Sequence, residues 1–163
     1  MPAALHFEAS GVDNLLLMTT ALLRTKLYIP RPPRSVVTRA ALIERLNEGV
    51  ARDLTLTIAP VGYGKTTLLV MWVAQTSLPV CWLTLDEQDS DLGVFVAYLL
   101  AAIRVHFPGA CPQTQGILES GRMPEIDQLA TLLINEIDDL PQRFVLVLDD
   151  YHLIQAPPVH QLL

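Results

Sequence analysis

The apolar positions of this chain fall into short unbroken runs that alternate with segments whose apolar residues recur every three or four places. Leu54-Thr55-Leu56-Thr57-Ile58 is β-rich and predicts a strand, and Leu68-Leu69-Val70-Met71-Trp72-Val73-Ala74 predicts a helix over about 65–76. Pro79-Val80-Cys81-Trp82-Leu83-Thr84-Leu85 is nearly all apolar, as suits a strand covered on both faces. Phe144-Val145-Leu146-Val147-Leu148 is a second such run, and its length, its two valines and the preceding Pro141 favour strand over buried helix. Helical spacing is clear at Phe95, Leu99, Ala102 and Ile103, predicting a helix over 92–106. It recurs at Ile126, Leu129, Leu132, Leu133, Ile137 and Leu140, predicting a helix that opens at Pro124 and ends at Pro141. A shorter helix over 39–48 has Leu42, Ile43 and Leu46 on one face, Thr38 as N-cap and Gly49 as its stop.

Between these elements, Pro30, Pro32 and Pro33 make 22–36 an extended, non-helical stretch. Pro108, Gly109, Pro112, Gly116 and Gly121 mark 107–123 as a long loop. No internal repeat is evident. Strands alternating with helices predict an α/β domain with a mostly parallel sheet.

Composition narrows the class. A chain of 163 residues that is 51% hydrophobic and 17% charged is one globular domain by length, with no long low-complexity tract. Its net charge of −6 argues against a protein that coats nucleic acid. Residues 18–52 nevertheless hold seven of the eleven basic residues (Arg24, Lys26, Arg31, Arg34, Arg39, Arg45, Arg52), either as a solvated surface or as help in holding a polyphosphate. Cys81 and Cys111 have no partner spacing or histidine cluster, and read as reduced thiols in a cytoplasmic protein without a cysteine metal site. The apolar run from Leu15 to Leu23 lacks a basic n-region and is too short and interrupted to span a bilayer. Residues 1–17 are expected to be a poorly ordered extension, with Met18 an alternative start.

The candidate chemistry begins at Ala59-Pro60-Val61-Gly62-Tyr63-Gly64-Lys65-Thr66-Thr67, a glycine loop placed between a predicted strand and a predicted helix. That is the setting of a phosphate-binding loop. Gly62 and Gly64 can adopt backbone angles that other residues resist, so that loop N–H groups turn inward on an anion beside a helix N-terminus. Lys65 would reach the β- and γ-phosphates, and the Thr66 hydroxyl would ligate Mg²⁺. Ala59 departs from the usual pattern, which has glycine there.

A second signal closes the last buried run. Asp149 and Asp150 fall at the carboxyl end of a strand, where ligands bind in open α/β sheets. Asp149 would hold Mg²⁺ through water, the Walker B role, and Asp150 could polarise an attacking water. His152 follows closely and either senses the γ-phosphate, braces the aspartates or serves a structural hydrogen bond. The acidic stretch Asp86-Glu87-Gln88-Asp89-Ser90-Asp91 is either a cation- or water-positioning element or a solvated loop with a helix cap, the latter being commoner. Trp72 and Trp82 read as core, and His6 and His106 as surface.

Four stretches occur together in order: Thr25-Lys26-Leu27-Tyr28-Ile29-Pro30-Arg31-Pro32, the glycine loop, Trp82-Leu83-Thr84-Leu85-Asp86-Glu87-Gln88-Asp89, and Leu148-Asp149-Asp150-Tyr151-His152-Leu153-Ile154. From about Met18 to Leu163 the set resembles the N-terminal nucleotide-binding domain of large LuxR-type transcriptional activators of the maltose-regulon type. These are signal-transduction ATPases with numerous domains (STAND), related to AP-ATPases and NLR proteins. The resemblance accounts for Ala59, because this family's loop reads Ala/Ser-Pro-x-Gly-x-Gly-Lys-Thr-Thr. It implies a P-loop NTPase three-layer α/β/α sandwich, incomplete at its C-terminus, over 18–163. It implies ATP or ADP with Mg²⁺ as cofactors, an ADP-held inactive monomer and an ATP-dependent oligomer that activates transcription. It also places Arg39 and the Ile29-Pro30 region near the adenine.

Family members continue beyond the Walker B strand, and the resemblance implies a further strand between the Walker A and Walker B strands. The chain is therefore expected to be a truncated module without a DNA-binding element, whose two strands pair directly, bind a partner or leave the fold marginally stable. Its implied partners are nucleotide, a second copy or the remaining regulator domains, with no membrane. Three readings follow: a nucleotide-dependent switch with slow or absent turnover, a non-binding remnant or structural interaction module, and a free-standing P-loop kinase. The kinase is expected to need an acceptor site and lid arginines after the Walker B strand, for which this sequence has no residues left.

Overall fold

Strands β1 (Val80–Thr84) and β2 (Val145–Asp149) lie side by side in parallel, Val80 opposite Val145 and Thr84 opposite Asp149. The structure is a computed structural model that describes residues 22–32 and 37–163. The ladder runs one residue past each end, with Val145 N–H donating to the Pro79 carbonyl at 2.9 Å and Leu85 N–H to the Asp149 carbonyl at 3.0 Å.

Successive side chains on a strand point to opposite faces. Cys81, Leu83, Leu85, Leu146 and Leu148 therefore enter one core, while Val80, Trp82, Val145 and Val147 enter another. Burial on both faces is why these runs are apolar at nearly every position. The first core is closed by α3 (Leu92–Arg104), α4 (Pro112–Ser120), α5 (Ile126–Asp138) and α6 (Pro157–Leu162). The second is closed by α1 (Ala40–Gly49) and α2 (Lys65–Val73), which Trp72 Nε1 joins by donating to Asn47 Oδ1 at 2.8 Å. The architecture is α/β with a small parallel sheet. Trp72 and Trp82 are core residues, as expected, at 3% and 1% exposure.

The predicted strand over 54–58 does not form. Leu54, Leu56 and Ile58 are 72%, 68% and 88% exposed, and among the described residues the sheet has two strands. An extended segment becomes a strand only when a neighbour takes up its N–H and C=O groups, and 54–58 pairs with neither β1 nor β2. Its near end is held instead by Thr55 Oγ1 donating to the Gly49 carbonyl at 3.3 Å.

The predicted loop over 107–123 contains α4. Pro112 stands at its N-terminal end and Gly121, in the left-handed region at φ 67°, at its C-terminal end. Two residues read as loop punctuation are thus helix boundaries. The missing cap comes from another element: Glu136 on α5 accepts from Gln113 N–H at 2.7 Å, Thr114 N–H at 3.1 Å and Thr114 Oγ1 at 2.6 Å. Arg104 secures the connection by donating to the Ala110 and Cys111 carbonyls and to Gln115 Oε1.

Within the stretch expected to be extended, Arg24–Leu27 forms a 3₁₀ turn. Lys26 holds it down, with its ammonium 2.8 Å from carboxylate oxygens of both Asp86 and Asp89 and 4.6 Å from the Tyr98 ring centre. Arg39, rather than Thr38, precedes α1 and supplies no side-chain cap; α5 likewise starts at Ile126, two residues beyond Pro124. The expectations for residues 1–17, including His6, lie outside the described residues.

Candidate functional site

The glycine loop has the backbone its sequence requires. Gly62 and Gly64 take φ of 83° and 77°, and Gly64 precedes α2 in the left-handed conformation. A Cβ on Gly62 would meet nothing within 4 Å, and one on Gly64 only Thr67 Cβ at 3.9 Å. Conformation rather than space is therefore what demands glycine. Lys65 folds back over the loop, its ammonium donating to the Ala59 carbonyl at 2.8 Å and the Pro60 carbonyl at 3.3 Å.

Thr66 is the residue that joins the two sequence signals. At the first turn of α2, its hydroxyl lies 2.9 and 3.0 Å from the two oxygens of Asp149, the last residue of β2, 83 positions away. The hydroxyl donates to the carboxylate, which leaves its own lone pairs as acceptors. Asp149 is 5% exposed. Burial pushes its carboxyl above the ordinary value and the Asp150 charge adds to this, while the Thr66 hydrogen bond and, more weakly, Lys65 oppose it.

Asp150 adopts φ 58° and ψ 28°, a left-handed conformation that Asp tolerates better than most residues. It reverses the chain into a 3₁₀ turn, Tyr151–Leu153. Tyr151 packs on the larger core and its hydroxyl meets His160 Nδ1 at 2.5 Å, whereas His152 and Leu153 face the glycine loop. Val61, Gly62, Gly64, Lys65, Thr66, Thr67, Asp150, His152 and Leu153 line an open cleft of about 400 Å³.

Most of the expected site residues therefore converge. Ala59 and Pro60 serve the cavity through the carbonyls that hold Lys65. Tyr63 is 61% exposed and does not line it. Arg39 is also outside the lining and donates to the Tyr63 carbonyl at 3.2 Å, so its observed contact is with the back of the loop. The sequence reading missed Leu153, which carries no signal of its own until the left-handed Asp150 turns the chain inward.

The acidic stretch after β1 is structural. Asp86 caps the 3₁₀ turn Glu87–Ser90 by accepting from Gln88 N–H at 2.9 Å, and Asp89 in turn accepts from Asp86 N–H at 2.8 Å. Asp91 caps α3 by accepting from Val94 N–H at 3.0 Å. Asp89 is fully buried and its charge is met by Lys26. Burial pulls the Lys26 ammonium down, but its bonds to Asp86 and Asp89 outweigh this and raise it, while Lys26 holds Asp86 below the usual carboxylate value.

Among the described residues no three His, Cys, Asp or Glu side chains cluster as a metal cage. The donors beside the loop, one hydroxyl and one carboxylate, suit Mg²⁺, a hard cation that takes few protein ligands, keeps several waters and binds substrate phosphates. They fit a magnesium polyphosphate better than a resident metal. Cys81 and Cys111 are buried free thiols away from the cavity, and desolvation pushes them up to about 12 and about 11.

No family model matches the chain. It is 34% identical over 140 residues to proteins described as HTH-type transcriptional regulator MalT, in Yersinia pestis (strain Pestoides F) and Serratia proteamaculans (strain 568). The match covers 86% of this chain and 15% of each relative, so the chain corresponds to a small part of those proteins. Among the described residues no helix is long and apolar enough to cross a membrane.

Proposed function

We propose that the chain is the ATP- and ADP-binding module of a LuxR-type STAND transcriptional regulator, acting as a nucleotide-dependent switch in the cytoplasm. The observation that carries this reading is the contact of Thr66 with both oxygens of Asp149 at 2.9 and 3.0 Å, beside a glycine loop with the required positive φ angles. Similarity to the MalT regulators supports the regulatory half of the reading.

In this reading the loop from Ala59 to Thr67 cradles the phosphates with backbone N–H groups, and Lys65 leaves the Ala59 and Pro60 carbonyls to pair with them. Thr66 and Asp149 would hold Mg²⁺, which would neutralise the phosphate charge. Asp150 stands where a carboxylate can orient water, so slow ATP hydrolysis is part of the proposal. Arg39 steadies the Tyr63 carbonyl and with it the loop. The reading assigns the domain to the P-loop class, with 54–58 standing in sequence where that class carries its Walker A strand. Nucleotide, a second copy and further regulator domains are the partners this reading assigns.

One observation favours a second reading, a structural module that binds no nucleotide. The strand that should carry the loop is unpaired, with Ile58, next to the loop, 88% exposed. Thermal unfolding separates the two. Mg-ADP or Mg-ATP at a hundred times its Kd should stabilise the folded chain by about 2.7 kcal/mol, and Lys65→Ala should abolish the shift. A cooperative transition that nucleotide leaves unmoved would overturn the switch reading.

A further inference from the structure

Resting on the nucleotide reading above, we propose that His152 distinguishes a nucleoside triphosphate from a diphosphate by donating a ring N–H to the terminal phosphate. The cavity has two unlike walls. The loop wall, from Val61 to Thr67, offers backbone N–H groups and the Lys65 ammonium. The rest of the lining is the stretch after β2, Asp150, His152 and Leu153, one anionic, one imidazole and one apolar side chain. A diphosphate seated on the loop is served by the loop's own donors. A third phosphate extends toward the sheet edge, where Asp149 and Asp150 present negative charge. It needs a donor there, and among the described residues of that stretch of the lining His152 is the side chain with an N–H to supply.

The ring is free for this role. His152 Nδ1 lies 3.9 Å from Asp150 Oδ1, beyond hydrogen-bonding distance, and the two side chains are 55% and 42% exposed. Among the described residues no other group engages the ring. The left-handed Asp150 determines which residue reaches the cavity: the turn that follows sends Tyr151 to the core and His160 and turns His152 toward the loop.

The test is equilibrium binding of Mg-ADP and of magnesium with the β,γ-imido analogue of ATP to the 163-residue chain, in wild type, His152→Ala and His152→Asn. His152→Ala should weaken the triphosphate analogue by about tenfold, the worth of one hydrogen bond to a charged group, and leave ADP within about twofold. His152→Asn, which keeps an N–H donor, should recover part of the loss. A merely structural histidine would lower both affinities together, and that result, or an unchanged ratio, would overturn the proposal. Wild type that binds neither nucleotide would instead refute the nucleotide reading itself, and this inference with it.

Discussion

Neutralising Asp149 should make the nucleotide-free protein more stable while removing its response to magnesium. Asp149 is 5% exposed, accepts hydrogen bonds from one neutral hydroxyl, and has a second carboxylate, Asp150, next to it in sequence. Among the described residues no lysine or arginine forms an ion pair with it. The ionised form is thus desolvated without a matching cation, consistent with a carboxyl pushed upward mainly by burial. Asp149→Asn keeps the shape and an oxygen to accept from Thr66 but removes the charge. Removing such a buried, unpaired charge should contribute about 1 kcal/mol, which for a domain of this size raises the unfolding midpoint by about 2–4 °C. Asp149→Ala serves as the control, because it also strips Thr66 of its acceptor and should forfeit about 1 kcal/mol of hydrogen bonding. The assay is thermal unfolding near neutral pH, with and without Mg-ADP. A lower midpoint for Asp149→Asn than for wild type would show that the ionised carboxylate is net stabilising, and would refute this reasoning.

Further tests address the scaffold. Glu136→Ala leaves three donors at the start of α4 without an acceptor, one of them the fully buried Thr114 hydroxyl. It should cost about 3 kcal/mol and lower the midpoint by about 6–12 °C, whereas loss of the exposed Glu119 should change little. Leu56→Ser should cost less than about 0.5 kcal/mol, because Leu56 is 68% exposed, against about 2–5 kcal/mol for the fully buried Leu83→Ala. Equal costs, measured by denaturant unfolding, would mean that 54–58 is packed in solution. Lys26 depresses the Asp86 carboxyl, so Asp86 stabilises the fold above its ordinary value of 3.8 and that contribution is lost as pH falls through its lower folded value. Asp86→Asn should therefore match wild type in strong acid and fall below it at neutral pH; an offset independent of pH would contradict the Lys26 pairing.

What was legible in the sequence follows from which interactions are local. β1 and β2 were readable because burial on both faces leaves nearly every position of either run apolar, Thr84 and Asp149 standing at the ends. The glycine loop and the Asp pair stood out because their residue types and spacing match a phosphate-binding pattern, and the fold brings Thr66 within 2.9 and 3.0 Å of the Asp149 oxygens. The strand over 54–58 was misread because β-propensity describes a side chain's fit to a sheet, while strand formation requires a neighbour that propensity cannot supply. Helix α4 was hidden because its first turn is capped by Glu136, 22 residues beyond Thr114, and no local pattern announces a cap borrowed from another helix. The inward turn of His152 and Leu153 depended on one left-handed residue, Asp150, whose identity permits that conformation without requiring it.

The central claim is that Lys65, Thr66 and Asp149 together form a magnesium–nucleotide site. Calorimetric titration of the folded chain with ADP, with and without magnesium, alongside Lys65→Ala, tests it most directly. Saturable one-to-one binding that magnesium strengthens and Lys65→Ala abolishes is the expected result. A folded wild type that takes up no ADP in magnesium, or a Lys65→Ala variant that binds it equally well, would contradict the account.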